Sequence, residues 1–364
     1  MVKSGKKLLI LSTGGTIAQV FGEGKIATIG DEPPKEFKGY LTQLGERLGV
    51  EIDEESVIDK DSSNITPDDW VKLIDAVYEK YDVYDAFLIT HGTNTLGYTC
   101  AALSFAFENI NKPVVLTGSQ VPIGEPGSDA LMNLENAIQV ATTTEYPLAG
   151  VVAVFGSHII AGTRVNKTTE FEYDGFRSYN TGVLGRVGRV VKIYKDPLDA
   201  HLKQLEPKAR GKSSLEISKN FNMNIVTLTE FPGMTSDFLH SLAKDLKVGG
   251  VIFRAAGAGD PNIARPETWK NTDEAFDLAK GFKALRDMNI PVVITTQASD
   301  GIASMDINEP GPLALDCGVI PAWDMSLEAL TVKLGWLMGK GMRYGEICRQ
   351  MIQNVKGEIS IVRT

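Results

Sequence analysis

The sequence has few cysteines and histidines, and the motifs that would go with them are missing. Cys100, Cys317 and Cys348 show no metal-ligand spacing and cannot all pair, which favours a reducing compartment. The four histidines form no His-Glu-x-x-His motif, and no Gly-x-Ser-x-Gly turn is present, so neither zinc hydrolysis nor a serine triad is supported. Gly14–Gly15 lacks the P-loop ending, and Gly257–Gly259 lacks the third glycine of a dinucleotide fingerprint. We expect no metal and no cofactor.

An excess of positive charge and long apolar runs are also missing. The 46 acidic residues exceed the 37 lysines and arginines, whereas proteins that bind phosphate backbones usually carry a basic face. No apolar run approaches the roughly 20 residues of a membrane span. The run Leu8–Leu11 is shorter than a signal-peptide core of about 7–15 residues, so it is interpreted as a first strand. We expect a soluble, cytoplasmic protein that binds no nucleic acid directly and no membrane.

Short apolar, β-branched runs alternate with helical patterns along the 364 residues. This alternation predicts an α/β fold of two domains, each a mostly parallel sheet flanked by helices, with the N-terminal domain larger. A polar, lysine-rich stretch marks the boundary, so we expect a catalytic domain at 1–195, a linker at 196–220 and a second α/β domain at 221–364. The predicted strands are Lys7–Ser12, Ala86–Thr90, Pro113–Thr117, Gly150–Phe155, Asn224–Thr229, Gly249–Arg254 and Pro291–Thr296. The predicted helices include one capped by Thr66 with its apolar face formed by Trp70, Leu73, Ile74, Val77 and Tyr81, and two more at Thr272–Met288 and Leu327–Met338.

Two threonine-containing loops follow predicted strands, at the sheet edge where open α/β folds bind ligands. Thr13–Ile17 follows the first strand, and His91–Thr95 follows the second. Their glycines permit close backbone approach, and their hydroxyl and N–H groups could supply a nucleophile and oxyanion donors. Each loop alone is more simply explained as an ordinary turn. A threonine nucleophile also needs a base, for which Lys167 is a candidate, although a solvated surface lysine is the simpler interpretation.

Together these segments resemble the bacterial-type asparaginase/glutaminase family, in particular its cytosolic type I L-asparaginases. Thr13–Ala18 and His91–Thr93 resemble the two family signatures, and Asp61–Pro67 resembles the loop that binds the substrate carboxylate. Gly162–Lys167 resembles the catalytic-lysine segment, and Gly318–Met325 is also similar to type I members, so the resemblance covers essentially the whole chain. It implies an amidohydrolase that converts asparagine to aspartate and ammonia, works without a cofactor and forms a homodimer or homotetramer.

The resemblance also implies roles for particular residues. Thr16 would be the nucleophile that forms an acyl-enzyme, and Thr93 with Lys167 would relay the proton. The neighbouring subunit would approach the pocket with Gly257–Asp260. The residues implied to bind the substrate are Gly15, Ser62, Ser63, Gly92, Thr93, Asn94 and Ser119.

Two positions depart from the family pattern. Asn94 replaces the acid of the second signature, which in the family binds the substrate's α-ammonium group and helps to set the charge of the lysine; we include Asn94 in the catalytic set. No tyrosine lies between Thr16 and Tyr40, so Phe21 would take the place of the lid tyrosine without its hydroxyl. The glycine-rich and charged segment Val20–Pro34 is still expected to form a gating loop.

Other functions stay open. The ammonia-producing subunit of a tRNA-dependent amidotransferase shares these signatures but carries an additional N-terminal domain, whereas here the nucleophile is already reached at Thr16, which favours an asparaginase. A weakened or non-catalytic amino-acid-binding homologue would account for Asn94 and the missing lid tyrosine. Retention of Thr16, Thr93 and Lys167 favours a working enzyme. The exact amide, whether L-asparagine, L-glutamine, D-asparagine or another, is not determined by the sequence.

Overall fold

The computed structural model describes residues 5–14, 19–20, 28–29, 35–146, 148–209, 214–245, 247–263 and 274–360. The chain separates into two compact units, Met1–Lys219 and Asn220–Thr364. Within the described ranges, none of the helices has the length and apolar content needed to cross a membrane. The expected α/β fold with a larger first sheet unit is confirmed.

The first unit contains the larger of the two main sheets. Its described strands are β1 (Lys7–Ser12), β2 (Gln19–Val20), β3 (Thr28–Ile29), β4 (Glu51–Ser56), β5 (Ala86–Thr90), β6 (Pro113–Thr117), β7 (Gly150–Phe155), β8 (His158–Ala161), β9 (Val165–Lys167), β10 (Phe176–Ser178), β11 (Gly185–Val187) and β12 (Val191–Ile193). Its described helices are α1 (Lys35–Leu48), α2 (Pro67–Lys80), α3 (Leu96–Ala106), α4 (Ala130–Thr142) and α5 (Lys195–Ala209). Four strands expected from the sequence, β1, β5, β6 and β7, have the predicted bounds.

The order of strands in this sheet changes direction beside β1. The order is β12-β11-β8-β7-β6-β5-β1-β4, parallel from β4 to β7 and antiparallel from β7 to β12. The chain leaves β1 for β4 on one side and then returns to β5 on the other. In open α/β sheets, ligands bind at the carboxyl ends of the strands where such a reversal occurs, so the ends of β1 and β5 are where a site is expected.

Helix α2 shows how local sequence positions the loop before it. Asp69 is fully buried, and its carboxylate accepts hydrogen bonds from the Thr66 backbone N–H at 3.0 Å and from Lys60 Nζ at 2.7 Å. Burial by itself raises the pKa of Asp69, but the hydrogen bonds from Lys60, Lys72 and Thr66 outweigh it and hold the pKa well below its ordinary value. The predicted apolar face is confirmed, since its five members are all buried: Trp70, Leu73, Ile74, Val77 and Tyr81.

The segment expected to be a polar linker, 196–220, contains nearly all of helix α5. Leu198 and Leu205 are buried, and Leu202 packs against the first unit's core, so an apolar stripe runs along a helix that is otherwise rich in charge. Contacts place the boundary between Lys219 and Asn220. Helix α5 belongs to the first unit because these three leucines, at helical spacing, bury one face of the helix against that unit's core.

The second unit is a four-stranded parallel sheet with helices. Its described strands are β13 (Ile225–Thr229), β14 (Gly250–Ala255), β15 (Val292–Thr296) and β16 (Ile320–Pro321), in that order. Its described helices are α6 (Ser236–Lys244), α7 (Ala279–Asp287), α8 (Pro310–Asp316), α9 (Leu327–Gly339) and α10 (Tyr344–Met351). The helix predicted at Leu327–Met338 is confirmed as α9. Of the predicted helix at Thr272–Met288, the part from Ala279 to Asp287 is helical, and residues 272–273 lie outside the described ranges.

Candidate active site

The loops after β1 and β5 are tied together where the two strands end. The backbone N–H and the hydroxyl of Thr13 both donate to the carbonyl oxygen of Thr90, at 3.1 and 2.9 Å. The His91 N–H donates to the Thr117 carbonyl at 2.8 Å, which joins the second loop to the end of β6. The parallel strands therefore bring Thr13, where the first loop begins, and the second loop to one edge of the sheet.

Asn94 connects this edge to the turn that contains Ser62 and Ser63. The Asn94 backbone N–H donates to Ser62 Oγ at 3.3 Å, and Asn94 Nδ2 donates to Ser63 Oγ at 2.9 Å. Thr95 adds a hydrogen bond from its hydroxyl to the Ser62 carbonyl at 2.6 Å. A side-chain Cβ at Gly92 would lie only 2.6 Å from Ser62 Oγ, so glycine is required for this close approach. Four of the expected substrate-binding residues are thus in direct contact.

Lys167 reaches the same place from a different part of the chain. Lys167 is the last residue of β9, and β9 follows directly after a short 3-10 turn at Gly162–Arg164. A Cβ at Gly162 would lie 2.5 Å from Ser104 Oγ, so this turn can pack against α3 only because residue 162 lacks a side chain. Since α3 begins at Leu96, just after Asn94, the packing of the turn on this helix brings Lys167 to the loop.

Lys167 contacts two residues of the His91–Thr95 loop that were expected in the site, Thr93 and Asn94. Its Nζ donates to Thr93 Oγ1 at 2.9 Å and to Asn94 Oδ1 at 3.0 Å. Burial lowers the pKa of Lys167, and the attraction of Glu170 opposes part of that effect. Thr93 is 8% exposed, whereas Asn94 is exposed to solvent. The Lys167 amino group therefore contacts one buried side chain and one solvent-exposed side chain. A lysine of lowered pKa beside a hydroxyl is an arrangement suited to proton transfer.

A buried hydrogen-bond chain supports the loop from behind, and the sequence did not reveal it. The Nδ1–H of His91 donates to the Gly92 carbonyl at 2.7 Å, and its Nε2 accepts from the Thr99 hydroxyl at 2.9 Å. The Trp70 indole N–H donates to the same hydroxyl at 3.1 Å. Burial lowers the pKa of His91 to about 4, so the ring is neutral near pH 7 and holds the loop rather than transferring protons. Trp70, predicted as a core residue, therefore also supports the site through its N–H.

Ser119 lies two residues beyond the end of β6. It is 1% exposed, and its hydroxyl oxygen has no hydrogen-bond partner among the described residues. A buried hydroxyl without a partner costs about 1–3 kcal/mol, so such a group is rarely kept without a use. Among the described residues, no cluster of three or more His, Cys, Asp or Glu side chains could hold a metal ion.

Several expected site residues lie outside the described residues. Gly15 and Thr16 are among them, as is Phe21 of the expected gating segment. The structure therefore brings together Ser62, Ser63, Gly92, Thr93, Asn94 and Lys167 at the end of β5, and Thr13 marks where the chain enters the segment that contains Thr16. The contacts of Thr95, Thr99 and Ser104 were missed because a lone hydroxyl in a sequence gives no signal of its partner.

Comparisons with known proteins cover most of the chain. The chain matches the family model described as "Asparaginase, N-terminal" over residues 7–199 and the model "Glutaminase/Asparaginase C-terminal domain" over residues 224–351. It is 35% identical to an L-asparaginase of Thermococcus kodakarensis over 97% of this chain and 99% of that protein. The structure of the thermostable L-asparaginase from that organism superposes with a TM-score of 0.81 at 33% identity, covering 98% of this chain and 100% of the other.

The chain is also similar to a second kind of protein. It is 30% identical to one of the subunits of the glutamyl-tRNA(Gln) amidotransferase of Aeropyrum pernix, over 98% of this chain and 80% of that protein. The match to the asparaginase family models and to proteins named L-asparaginase identifies the chain as an amidohydrolase. The chain belongs to the asparaginase family.

Proposed function

We propose that the chain hydrolyses a small side-chain carboxamide, of which asparagine is the reference example, through an acyl-enzyme on Thr16. The observation that carries the proposal is the 2.9 Å hydrogen bond between Lys167 Nζ and Thr93 Oγ1, made by a lysine whose pKa is lowered by burial. When Lys167 is neutral, its nitrogen can take up the Thr93 proton along the same contact. Thr93 deprotonated in this way can in turn accept the proton of the proposed nucleophile, Thr16.

The reaction then runs in two balanced steps. The Thr16 hydroxyl oxygen attacks the amide carbonyl carbon, and its proton passes to the Thr93–Lys167 pair and on to the leaving nitrogen. The C–N bond breaks, ammonia leaves, and the acyl group remains as an ester on Thr16. Water, deprotonated by the same pair, attacks the ester; the C–O bond to Thr16 breaks, the hydroxyl is restored, and a carboxylate is released.

The substrate is proposed to be held by donors on the two loops and the adjoining turn. Ser62 and Ser63 would bind its carboxylate, and backbone N–H groups near Gly15 and Gly92 would face the developing oxyanion. The buried hydroxyl of Ser119, which has no partner among the described residues, would gain one from the bound substrate. No cofactor takes part in this proposal.

We further propose a cytoplasmic homodimer or homotetramer in which Gly257–Asp260 approaches the pocket of a neighbouring subunit. All three cysteines, Cys100, Cys317 and Cys348, are free thiols, as a reducing compartment would leave them. The loop at Gly257–Asp260 follows β14, so it lies at the carboxyl end of the second parallel sheet. The catalytic machinery in this proposal otherwise comes from the first of the two expected domains.

The test is ammonia release from L-asparagine, L-glutamine, D-asparagine and succinamate. We expect release from at least one of these amides, and we expect Lys167→Met and Thr93→Ala to lower it by about 10²–10⁴-fold because the proton relay is lost. Lys280→Met is the matched control, since the Lys280 side chain is 75% exposed and lies in the second unit. The proposal fails if no amide releases ammonia, or if Lys167→Met is as active as Lys280→Met.

The similarity to the amidotransferase protein of Aeropyrum pernix supports one alternative, supply of ammonia to a partner that amidates charged tRNA. This alternative predicts that ammonia release from L-glutamine is weak for the isolated chain and rises at least ten-fold when a partner protein is present. Full activity of the purified chain on its own would rule that alternative out.

A further inference from the structure

The directions of the hydrogen bonds around Asn94 show which charge the site can bind. Ser62 Oγ accepts from the Asn94 backbone N–H, and Ser63 Oγ accepts from Asn94 Nδ2. A serine hydroxyl that accepts in this way still has its own proton to donate. Neither hydroxyl donates to an acceptor among the described residues, so each keeps its O–H proton for another partner. Two such donors suit an anionic group such as a carboxylate.

The Asn94 side chain, by contrast, offers little to a cation. Its Oδ1 accepts from Lys167 Nζ at 3.0 Å, and its Nδ2 donates to Ser63. The amide carries no charge, so a substrate ammonium group placed here would meet the dipole of a group already bonded to Lys167. Withdrawing an ammonium group from water without an anionic partner is costly.

Two acidic residues interact with groups of this cluster, but neither is bonded to the side chain of Asn94. Asp61 Oδ1 accepts from the Ser63 backbone N–H at 2.8 Å, and Glu170 attracts Lys167. In the part of the chain that the structure describes, no carboxylate shares a hydrogen bond with the side chains of Ser62, Ser63 or Asn94. Within one subunit, the side chains of Ser62, Ser63 and Asn94 therefore offer donors to one negative charge, and none of them carries a negative charge that could pair with an ammonium group.

We infer that the chain prefers monoamides of dicarboxylic acids that lack an α-amino group, a specificity that rests on the amide hydrolysis proposed above. The carboxylate of such a substrate would accept from the Ser62 and Ser63 hydroxyls. The methylene group in place of the amino-bearing carbon needs no counter-charge, so Asn94 can remain bonded to Lys167 throughout. Asn94 acts here as a specificity-determining residue.

Succinamate and L-asparagine test this inference because they differ only in the α-ammonium group. We expect kcat/KM for succinamate to exceed that for L-asparagine by at least ten-fold in the natural chain. Asn94→Asp should change this ratio by at least ten-fold in favour of L-asparagine, because the new carboxylate would pair with the ammonium group. The control is Asn222→Asp, which adds the same charge at an exposed position of the second unit and should leave the ratio unchanged.

The outcomes separate this inference from the hydrolysis itself. A succinamate preference below ten-fold in the natural chain overturns the inference while leaving the hydrolysis intact. A ratio that Asn94→Asp alters no more than Asn222→Asp does also overturns it, because the preference would not come from residue 94. If neither the natural chain nor Asn94→Asp releases ammonia from any amide, the proposed hydrolysis fails, and the inference fails with it.

Discussion

At the scale of single residues, Lys167 and Asn94 have to be considered together. Lys167 is half-buried, and the group that accepts its second hydrogen bond is a neutral amide rather than a carboxylate. Burial lowers its pKa, and Asn94 adds no negative charge that would restore it. The neutral, basic form of this lysine is therefore reached at lower pH than in an ordinary solvated lysine.

This pairing predicts the effect of a single substitution on the pH profile. In the natural chain, kcat/KM should rise with pH as Lys167 loses its proton, below the range of an ordinary lysine, because its pKa is lowered. Asn94→Asp places a carboxylate where Oδ1 now lies 3.0 Å from Nζ, which favours the ammonium form and raises that pKa. The rising limb should then move to higher pH, as measured by initial rates of ammonia release.

The control for this profile is again Asn222→Asp, which should leave the limb where it is in the natural chain. A limb that stays in place in Asn94→Asp, or moves to lower pH, would show that Lys167 is not the group that titrates. Glu170 attracts Lys167 in both proteins, so it does not affect the comparison.

Single residues also show how far the sequence could predict the site. Thr93 and Lys167 are 74 positions apart, and nothing in the residues alone places them in contact; the expectation came from the family resemblance. The Trp70–Thr99–His91 chain was missed because the helical spacing of Trp70 shows only that it is buried, not where its N–H points. Buried hydrogen-bond partners are a property of the folded chain.

At the scale of elements, the buried parallel strands were the most predictable. Every residue of strands β5, β6 and β7 is buried and most of them are apolar, so the bounds of these strands could be predicted from composition. The short antiparallel strands β11 and β12 were not predicted, because each is only three residues long, which is too short for an alternating pattern to be distinguished. Helix α5 was not predicted because its many lysines and acidic residues make the helical spacing of its three leucines hard to recognise in the sequence.

One ion pair holds the end of the described chain to α9. Lys333 and Glu358 are both fully buried and lie 2.6 Å apart, and Lys333 Nζ also donates to the Met351 carbonyl at 3.0 Å. Burial lowers the pKa of Lys333. Burial would raise the pKa of Glu358, but the charge of Lys333 and several hydrogen bonds outweigh it and lower that pKa. Both groups are thus held charged mainly by one another.

Removing one member of this pair should therefore destabilise the protein strongly. Lys333→Met leaves Glu358 buried without its partner, and we expect a loss of about 3–5 kcal/mol in the free energy of unfolding, measured by urea denaturation. The double variant Lys333→Met, Glu358→Leu should recover part of that loss. The exposed pair Lys280–Glu274 provides the control, since Lys280→Met should change stability by about 0.5 kcal/mol or less. An equally small effect of Lys333→Met would contradict this account of the buried pair.

At the scale of the whole molecule, the two units have separate sheets and separate cores. The described candidate site residues all lie in the first unit, and the two family models together match both units. The sequence predicted this division because the strand–helix alternation restarts after the lysine-rich stretch. It could not place the boundary to the residue, since only folding shows that α5 packs on the first unit's core.

The whole account depends on one chemical event, transfer of the substrate's acyl group to Thr16. The most direct test follows ammonia release and peptide acylation in the same rapidly quenched samples, for the natural chain and for Thr16→Ala. We expect the acyl group on the peptide that contains Thr16, and a loss of at least about 10³-fold in ammonia release with no acylated peptide in Thr16→Ala. Undiminished ammonia release by Thr16→Ala, or acylation of Thr93 in place of Thr16, would contradict the account.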